Sequence, residues 1–204
     1  MKAWRRNKPG RATYAVQASS SDSLRDHFLL AMPGLDTGLF SGSITYICEH
    51  GEAGAMGLVI NQPLELSLEE IFDHLDIATA ADFHDRPVLA GGPVQVDHGF
   101  VLHPSDDDSW DSTLQVTREM RLTTSQDVLR AIAAGRGPER FVIALGYAGW
   151  SAGQLEDEIG SNSWLTLPAE HSIIFDTPIE QRVSAAASVL GIDMNLLTTQ
   201  AGHA

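Results

Sequence analysis

Cysteine is almost absent from this sequence, and long apolar runs are absent altogether. Cys48 is the single cysteine among 204 residues, so no disulfide can form within the chain, as is usual for proteins of a reducing compartment. No apolar run approaches the roughly 20 residues that a membrane-spanning helix needs. The first thirty residues also lack the apolar core of a secretory signal. These absences predict a cytoplasmic protein with no membrane contact.

Basic residues are scarce beyond the first eleven positions. Five of the thirteen Lys and Arg residues lie at positions 1–11, which contain no acid. The other 193 residues hold eight basic and 27 acidic side chains, a net charge of −19. So acidic a surface repels the phosphates through which proteins gain most of their non-specific affinity for nucleic acid. Direct nucleic-acid binding by the folded part is therefore disfavoured.

The N-terminal residues 1–23 are polar, basic and rich in serine, and no apolar period runs through them. This composition predicts a disordered arm ahead of one domain at residues 24–204. A solvated tail or a misassigned translation start is the preferred interpretation. A basic contact arm and an organelle-targeting segment, which is also rich in arginine and poor in acids, stay open. The length of the chain and its 43% of apolar residues are typical of a single globular domain.

Apolar runs in the first half predict strands and one short helix. Residues 27–33, HFLLAMP, form a short run ended by a proline and a glycine, as a buried strand is. Residues 44–50 and 54–61 are apolar, β-branched runs separated by glycines, the pattern of an antiparallel hairpin. Ser67 and Glu70 match a capping box, which predicts a helix from about 68 to 75.

The second half continues with strands and helices. Strands are predicted at 87–94, 99–104, 140–147 and 171–176, and helices at 122–135 and 177–191. The first two of these strands are predicted to pair with each other. The third is apolar on both faces, as a central strand is. Thr177 is the predicted N-cap of the closing helix, and Pro178 is its predicted first residue.

The most distinctive stretch is GYAGWSAGQLEDEIGSNSW, residues 146–164, which combines four glycines, two tryptophans and three consecutive acids. It follows the predicted central strand and enters a helix at Ser151, with Gln154 three residues later as a second capping-box match. Gln154 and Glu158 lie four residues apart on one helical face. A strand end that meets a helix N-terminus can hold an anion. A structural corner explains the glycines and tryptophans as well, and it is the preferred interpretation.

Several fragments occur together in an order that resembles the YqgE/AlgH family of bacterial proteins. They are HFLLAMPGL, YICEHGEAGAMGLVINQP, PVLAGGPV, GFVLH, LGYAGWSAGQLEDEIGSNSWL and the closing helix, within residues 27–202. The resemblance implies a single α+β domain with a mixed, strongly bent β-sheet that approaches a pseudo-barrel and has helices packed outside. Members are often labelled transcriptional regulators, so the resemblance implies no reaction. The basic arm departs from the family pattern.

Cys48 and His50 are the candidates for catalysis. On a regular strand, residues two apart share a face, and an imidazolium near a thiol lowers the thiol pKa and favours the nucleophilic thiolate. The preferred interpretation of Cys48 is a small buried hydrophobe, the usual state of a free cysteine. A thiol-dependent or hydrolytic enzyme centred on this pair stays open as an alternative.

The sequence predicts neither a metal site nor a cofactor. Asp97, His98 and His103 lack the paired spacings of structural zinc ligands, and the two histidines have opposite parity on a strand. No phosphate-binding lysine follows the glycines of PVLAGGPV, and the stretch at 146–164 lacks the GxSxG pattern of serine hydrolases.

A composite pocket is the candidate for ligand binding. Gly91 and Gly92 can expose backbone amides to an anion, although a tight turn or bulge before Pro93 is the preferred interpretation. The end of the second hairpin strand and the distinctive stretch supply polar and aromatic side chains. The residues predicted to converge are Asn61, Gln62, Gly91, Gly92, Trp150, Gln154 and Glu158.

These observations favour an acidic, non-catalytic binding or regulatory protein whose partner is a small molecule or another protein. Any transcriptional role is then indirect. The alternatives are the enzyme centred on Cys48 and His50 and a regulator that binds DNA directly through the basic arm.

Overall fold

The structure, a computed structural model, describes residues 23–35, 38–79, 82–105 and 109–192. The arm predicted at residues 1–23 lies outside the described residues except for Ser23, and so does the chain after Ile192. Within the described ranges, no helix is long and apolar enough to cross a membrane.

The described residues form ten strands and five α-helices. The strands are β1 (His27–Ala31), β2 (Ile44–Gly51), β3 (Gly54–Val59), β4 (Pro63–Ser67), β5 (Pro87–Ala90), β6 (Val94–Pro104), β7 (Thr113–Gln115), β8 (Met120–Thr123), β9 (Val142–Ser151) and β10 (Trp164–Pro168). The helices are α1 (Leu68–His74), α2 (Gln126–Ala133), α3 (Gln154–Gly160), α4 (His171–Phe175) and α5 (Arg182–Val189).

Strand β9 is where the sheet turns. Its first half lies between β5, which runs parallel to it, and β6, which runs antiparallel. Its second half pairs with β3. The sheet continues on both sides in the order β10-β1-β2-β3-β9-β6-β8-β7, and β4 pairs with the free side of β5. The result is a mixed, strongly curled half-barrel, which confirms the α+β fold implied by the family resemblance.

Glycines allow two backbones to cross at the turn between β5 and β6. Gly146, in the middle of β9, has a φ of +71°, and a Cβ there would lie 2.4 Å from the carbonyl oxygen of Gly92. A Cβ on Gly92 would in turn lie 2.0 Å from the carbonyl carbon of Tyr147. The crossing therefore leaves no room for a side chain at either position.

Helices pack on the faces of the curled sheet. Strand β1 shows the alternation, because Phe28 and Leu30 belong to a central cluster whereas Leu29 and Ala31 belong to a cluster around two tryptophans. Helices α4 and α5 pack into the central cluster, α1 and α2 into a second cluster, and α3 into the tryptophan cluster. The sheet is thus covered on both faces.

Several predicted elements that depend on residues close together in the chain are confirmed. The side chain of Ser67 accepts the backbone N–H of Glu70, and Glu70 Oε2 accepts the backbone N–H of Ser67 at 2.8 Å, which completes the predicted capping box. These hydrogen bonds lower the pKa of the exposed Glu70 carboxyl. The β2–β3 hairpin and the central strand β9 are confirmed as well.

The strand predicted at residues 171–176 is wrong, because this segment forms helix α4. Its apolar residues Ile173 and Ile174 are both buried, and so short an apolar run does not distinguish a strand from a helical turn.

The closing helix is shorter than predicted. Pro178 has a ψ of 142°, so it precedes a 3₁₀ turn at Ile179–Gln181 instead of starting the helix, and α5 begins only at Arg182. Thr177 does not cap it, because its hydroxyl donates to the carbonyl of Ser172.

The predicted pairing of β5 with β6 is also wrong. The two strands lie on opposite sides of β9, because the chain crosses β9 at residues 91–93. Strand β5 pairs instead with β4, and β1 pairs with β10. The sequence patterns predicted neither β4 nor β10.

Candidate functional site

The corner between β9 and α3 is built around the Glu158 carboxylate. Its Oε2 accepts the indole N–H of Trp150 at 2.9 Å and that of Trp164 at 2.7 Å. Its Oε1 accepts the side-chain amide of Gln154 at 2.9 Å. Both tryptophans are buried, and buried indoles need a hydrogen-bond acceptor. Three of the predicted ligand-binding residues, Trp150, Gln154 and Glu158, are therefore hydrogen-bonded to one another through the Glu158 carboxylate.

The hydrogen bonds also set the charge of Glu158. Burial by itself raises the pKa of this carboxyl, but the hydrogen bonds from Trp164, Gln154 and Trp150 outweigh burial and leave the pKa below its usual value. The two indole rings meet edge to face, with centroids 6.0 Å apart. The carboxylate thus stays ionised at neutral pH and holds both rings in place.

Ser151 is not the cap of α3, contrary to the prediction. The N-cap is Gly153, which has a φ of +78° and carries no side chain. The backbone N–H and the hydroxyl of Ser151 both donate to Gln154 Oε1, at 3.0 and 3.1 Å. Asp157 and Glu158 line the shallow opening beside this turn. Two carboxylates there are unfavourable for an anion.

Asn61 and Gln62 hold backbone segments together. Asn61 Oδ1 accepts the backbone N–H of Ile44 at 3.0 Å, and its amide donates to the carbonyl of Gly42 at 2.9 Å. The backbone carbonyl of Gln62 accepts the N–H of Ala90 at 2.8 Å. These contacts fix the ends of β2, β3 and β5.

Gly91 and Gly92 are buried at the crossing of β9. The N–H of Gly91 donates to the carbonyl of Leu145, and its carbonyl accepts the N–H of Val59, both at 2.8 Å. The Gly91 amide is therefore committed to the sheet. The residues predicted to converge on one pocket therefore lie in two places, the crossing of β9 and the corner between β9 and α3. Ligand binding by the seven residues stays a prediction.

Cys48 and His50 have separate environments. The Cys48 thiol is fully buried and donates to the carbonyl of Tyr46 at 3.8 Å. A register shift between β2 and β3 at this residue breaks the alternation that predicted a shared face. Nδ1 of His50 accepts the backbone N–H of Leu24 at 3.1 Å, and Nε2 lies 2.9 Å from Glu156 Oε1. Both ring nitrogens therefore have partners other than the thiol.

Burial raises the pKa of the Cys48 thiol far above its ordinary value. We expect iodoacetamide at neutral pH to alkylate Cys48 in the folded protein at least about a hundredfold more slowly than in protein unfolded in urea, because the reactive thiolate is scarce and enclosed. Mass spectrometry of timed samples measures both rates, with free cysteine as the reference thiol. Alkylation of the folded protein as fast as free cysteine would instead support the thiol enzyme.

An open groove lies beside the corner and was missed by the sequence analysis. It has a volume of about 610 Å³ and lies between the end of the β2–β3 hairpin and β9. Met56, Val94 and Tyr147 give it apolar lining, and its charged groups are Arg25, Glu49 and Glu52. These side chains come from separate segments of the chain, so no local pattern could predict that they meet. Of the predicted site residues, His50 and Trp150 also line it.

The histidines considered for metal binding have other contacts. Nε2 of the buried His103 lies 3.0 Å from the hydroxyl of Thr123, and the ring of His98 lies 5.2 Å from that of Phe100. Within the described ranges, no group of three or more His, Cys, Asp or Glu side chains could hold a metal ion.

Comparison with known proteins places these features in a family. The AlgH-like family model, DUF179, matches residues 28–195. A UPF0301 protein of Saccharophagus degradans is 56% identical over 182 residues, which cover 89% of each chain. A UPF0301 protein of Chromohalobacter salexigens is 51% identical over 89% of this chain and 98% of its own.

Solved structures agree with these matches. The solution structure of the AlgH protein from Pseudomonas aeruginosa is 52% identical and has a TM-score of 0.75 over 93% of this chain and 100% of that chain. A crystal structure of a protein from Corynebacterium diphtheriae, 15% identical, shares the fold with a TM-score of 0.66 over 89% of this chain and 94% of that one. The resemblance seen in the sequence is confirmed, and the chain belongs to the AlgH-like family.

Proposed function

We propose that this protein acts by binding, without a catalytic centre of its own, and that the groove beside Met56, Val94 and Tyr147 is its binding site. The groove itself is the observation that carries the proposal. Its volume of about 610 Å³ falls within the range of about 300–1,000 Å³ typical of small-molecule sites. Polar and apolar groups line the groove about equally, so it is more polar than most small-molecule sites and suits a ligand that carries charged groups.

The charged groups at the groove suit recognition. The side chains of Arg25 and Glu49 have no hydrogen-bond partner among the described residues, so both are available to a ligand. Arg25 and the two acids Glu49 and Glu52 place charges of both signs at one groove, which fits a zwitterionic small molecule or a polar segment of another protein. His50 is unsuited to act as a general base, because its Nδ1 already accepts a backbone N–H.

A protein that binds a ligand without catalysing a reaction is suited to a regulatory role, which is the role we propose. Residues 12–204 carry a net charge of −19, which disfavours direct contact with DNA. Any effect on transcription then passes through the bound ligand or a partner protein. The burial of Cys48 weighs against the alternative of a thiol enzyme.

Native mass spectrometry of protein purified gently from its own cells tests the proposal. We expect the wild-type protein to retain a small molecule or a partner, and Tyr147→Ala to lose at least about tenfold of the affinity, equivalent to about 1.4 kcal/mol. Dissociation in the gas phase then identifies what was bound. Trp150 and Gln154 are poor test positions, because their replacement disturbs the hydrogen bonds of Glu158.

Val96→Ala is the matched control. Val96 is 62% exposed on β6 and does not line the groove, so this variant should keep the bound species. Thermal unfolding shows whether both variants remain folded. A bare mass for the wild-type protein, or equal retention by all three proteins, contradicts the proposal.

A further inference from the structure

A second cavity, of about 360 Å³, lies where β5 and β9 meet the segment that leads from α4 into α5. Leu89, Phe141, Ile174 and Phe175 contribute apolar walls. It shares no lining residue with the groove beside Tyr147. The two openings are therefore separate.

Arg182 brings a buried positive charge to this cavity. The residue is 6% exposed, and it lines the cavity from the first turn of α5. Its Nε donates to the carbonyl of Thr177 at 3.2 Å, and its Nη1 donates to the carbonyl of Ile60. A guanidinium has five N–H donors, so three of them have no acceptor among the described residues.

The buried charge has no ion-pair partner within the described ranges. Burial lowers the pKa of Arg182 to about 10 against the opposing effect of Glu180, so the group remains protonated at neutral pH. A largely buried charge without a counter-ion is unfavourable, because it has lost much of its hydration without gaining an opposite charge. An anion within reach of the open N–H groups would supply that charge.

Two further arginines adjoin the cavity. Arg86 lines it, with its guanidinium carbon 5.7 Å from the centroid of the Phe141 ring. Asp176 also lines it, but both of its carboxylate oxygens accept from Arg140 Nη1, at 3.1 and 2.9 Å. Two of the eight arginines beyond residue 11, Arg86 and Arg182, thus line one cavity of an acidic protein, and the charge of the neighbouring Arg140 is paired with Asp176. This concentration of positive charge contrasts with the rest of the surface.

We propose that this cavity binds a small anion with an apolar body. Its carboxylate or phosphate group pairs with Arg182 and Arg86, because the guanidinium fork matches both groups. Its hydrocarbon or aromatic part packs between Phe141 and Phe175. A volume of about 360 Å³ restricts the ligand to the smaller end of the size range of bound metabolites.

Benzoate and phenyl phosphate are suitable probes of this site. Isothermal titration of the full chain at constant ionic strength should show saturable binding of at least one of them, whereas sodium chloride should give none. We expect Arg86→Gln and Arg182→Lys to weaken that binding by at least about tenfold, because each removes one guanidinium fork. Arg86 is exposed, so its replacement should leave the fold intact.

Arg118→Gln is the control, because Arg118 is an exposed arginine that does not line the cavity. It should bind the probes as the wild-type protein does. Equal affinity in all four proteins, or no binding to the wild-type protein, overturns the proposal. If Tyr147→Ala loses probe binding and Arg86→Gln keeps it, the probe binds in the groove beside Tyr147, and the proposal for this cavity is overturned too.

Discussion

Replacing Gly92 by alanine is expected to lower the free energy of unfolding by about 3 kcal/mol or more, or to leave no folded protein. A Cβ at this position would lie 2.0 Å from the carbonyl carbon of Tyr147 and 2.2 Å from the amide nitrogen of Ala148. Both atoms belong to the backbone of β9, which cannot rotate away as the end of a flexible side chain can. The turn between β5 and β6 must move, and the two hydrogen bonds of Gly91 are strained with it.

Urea unfolding followed by circular dichroism measures this effect, and Gly160→Ala is its control. Gly160 lies at the end of α3, and a Cβ at this position would meet no atom of the described residues within 4 Å. Alanine there should therefore change stability by no more than about 1 kcal/mol. If Gly92→Ala unfolds at the same urea concentration as the wild-type protein, the two backbones do not cross as closely as described.

Elements whose determinants are local could be predicted from the sequence. The capping box of Ser67 and Glu70 joins residues three apart, and the β2–β3 hairpin joins neighbouring runs of apolar residues. The pairing of β10 with β1 joins the last strand to the first, and β5 pairs with β9 although three strands and a helix lie between them in the chain. No local pattern encodes such neighbours, because each depends on where the whole chain is placed. The bent sheet could be predicted only through the family resemblance.

The candidate sites show the same difference between contacts that are local in the chain, which could be predicted, and long-range contacts, which could not. The sequence singled out Gln154 and Glu158 because they lie four residues apart on one helical face, and their hydrogen bond is present. It did not show that Trp150 and Trp164 share the Glu158 carboxylate, because that contact needs β9, α3 and β10 together. No pattern in the sequence indicated a role for Arg182. An arginine in a helix is ordinarily exposed, and its burial results from the fold around it.

Replacing Glu158 by alanine is expected to lower the free energy of unfolding by about 2–4 kcal/mol, because two buried indole N–H groups lose their acceptor. Urea unfolding followed by tryptophan fluorescence measures the change. Asp157→Ala is the matched control: its side chain is an exposed neighbour on the same helix, and its loss should cost no more than about 0.5 kcal/mol. Equal midpoints for the two variants would contradict the role of the carboxylate in the corner.

The charge of Glu158 also makes a pH-dependent contribution. Its pKa in the folded protein is lowered from 4.5, so the ionised carboxylate stabilises the fold fully above pH 4.5 and loses this effect as the pH falls through the folded value. Glu158→Gln keeps a hydrogen-bond acceptor but not the charge. The stability difference between the wild-type protein and Glu158→Gln should therefore be largest near pH 7 and should shrink below pH 4.5, where the wild-type side chain becomes neutral too. A difference that stays constant from pH 7 to acid would show that the hydrogen-bond geometry at the two indoles, and not the charge, is what the corner requires.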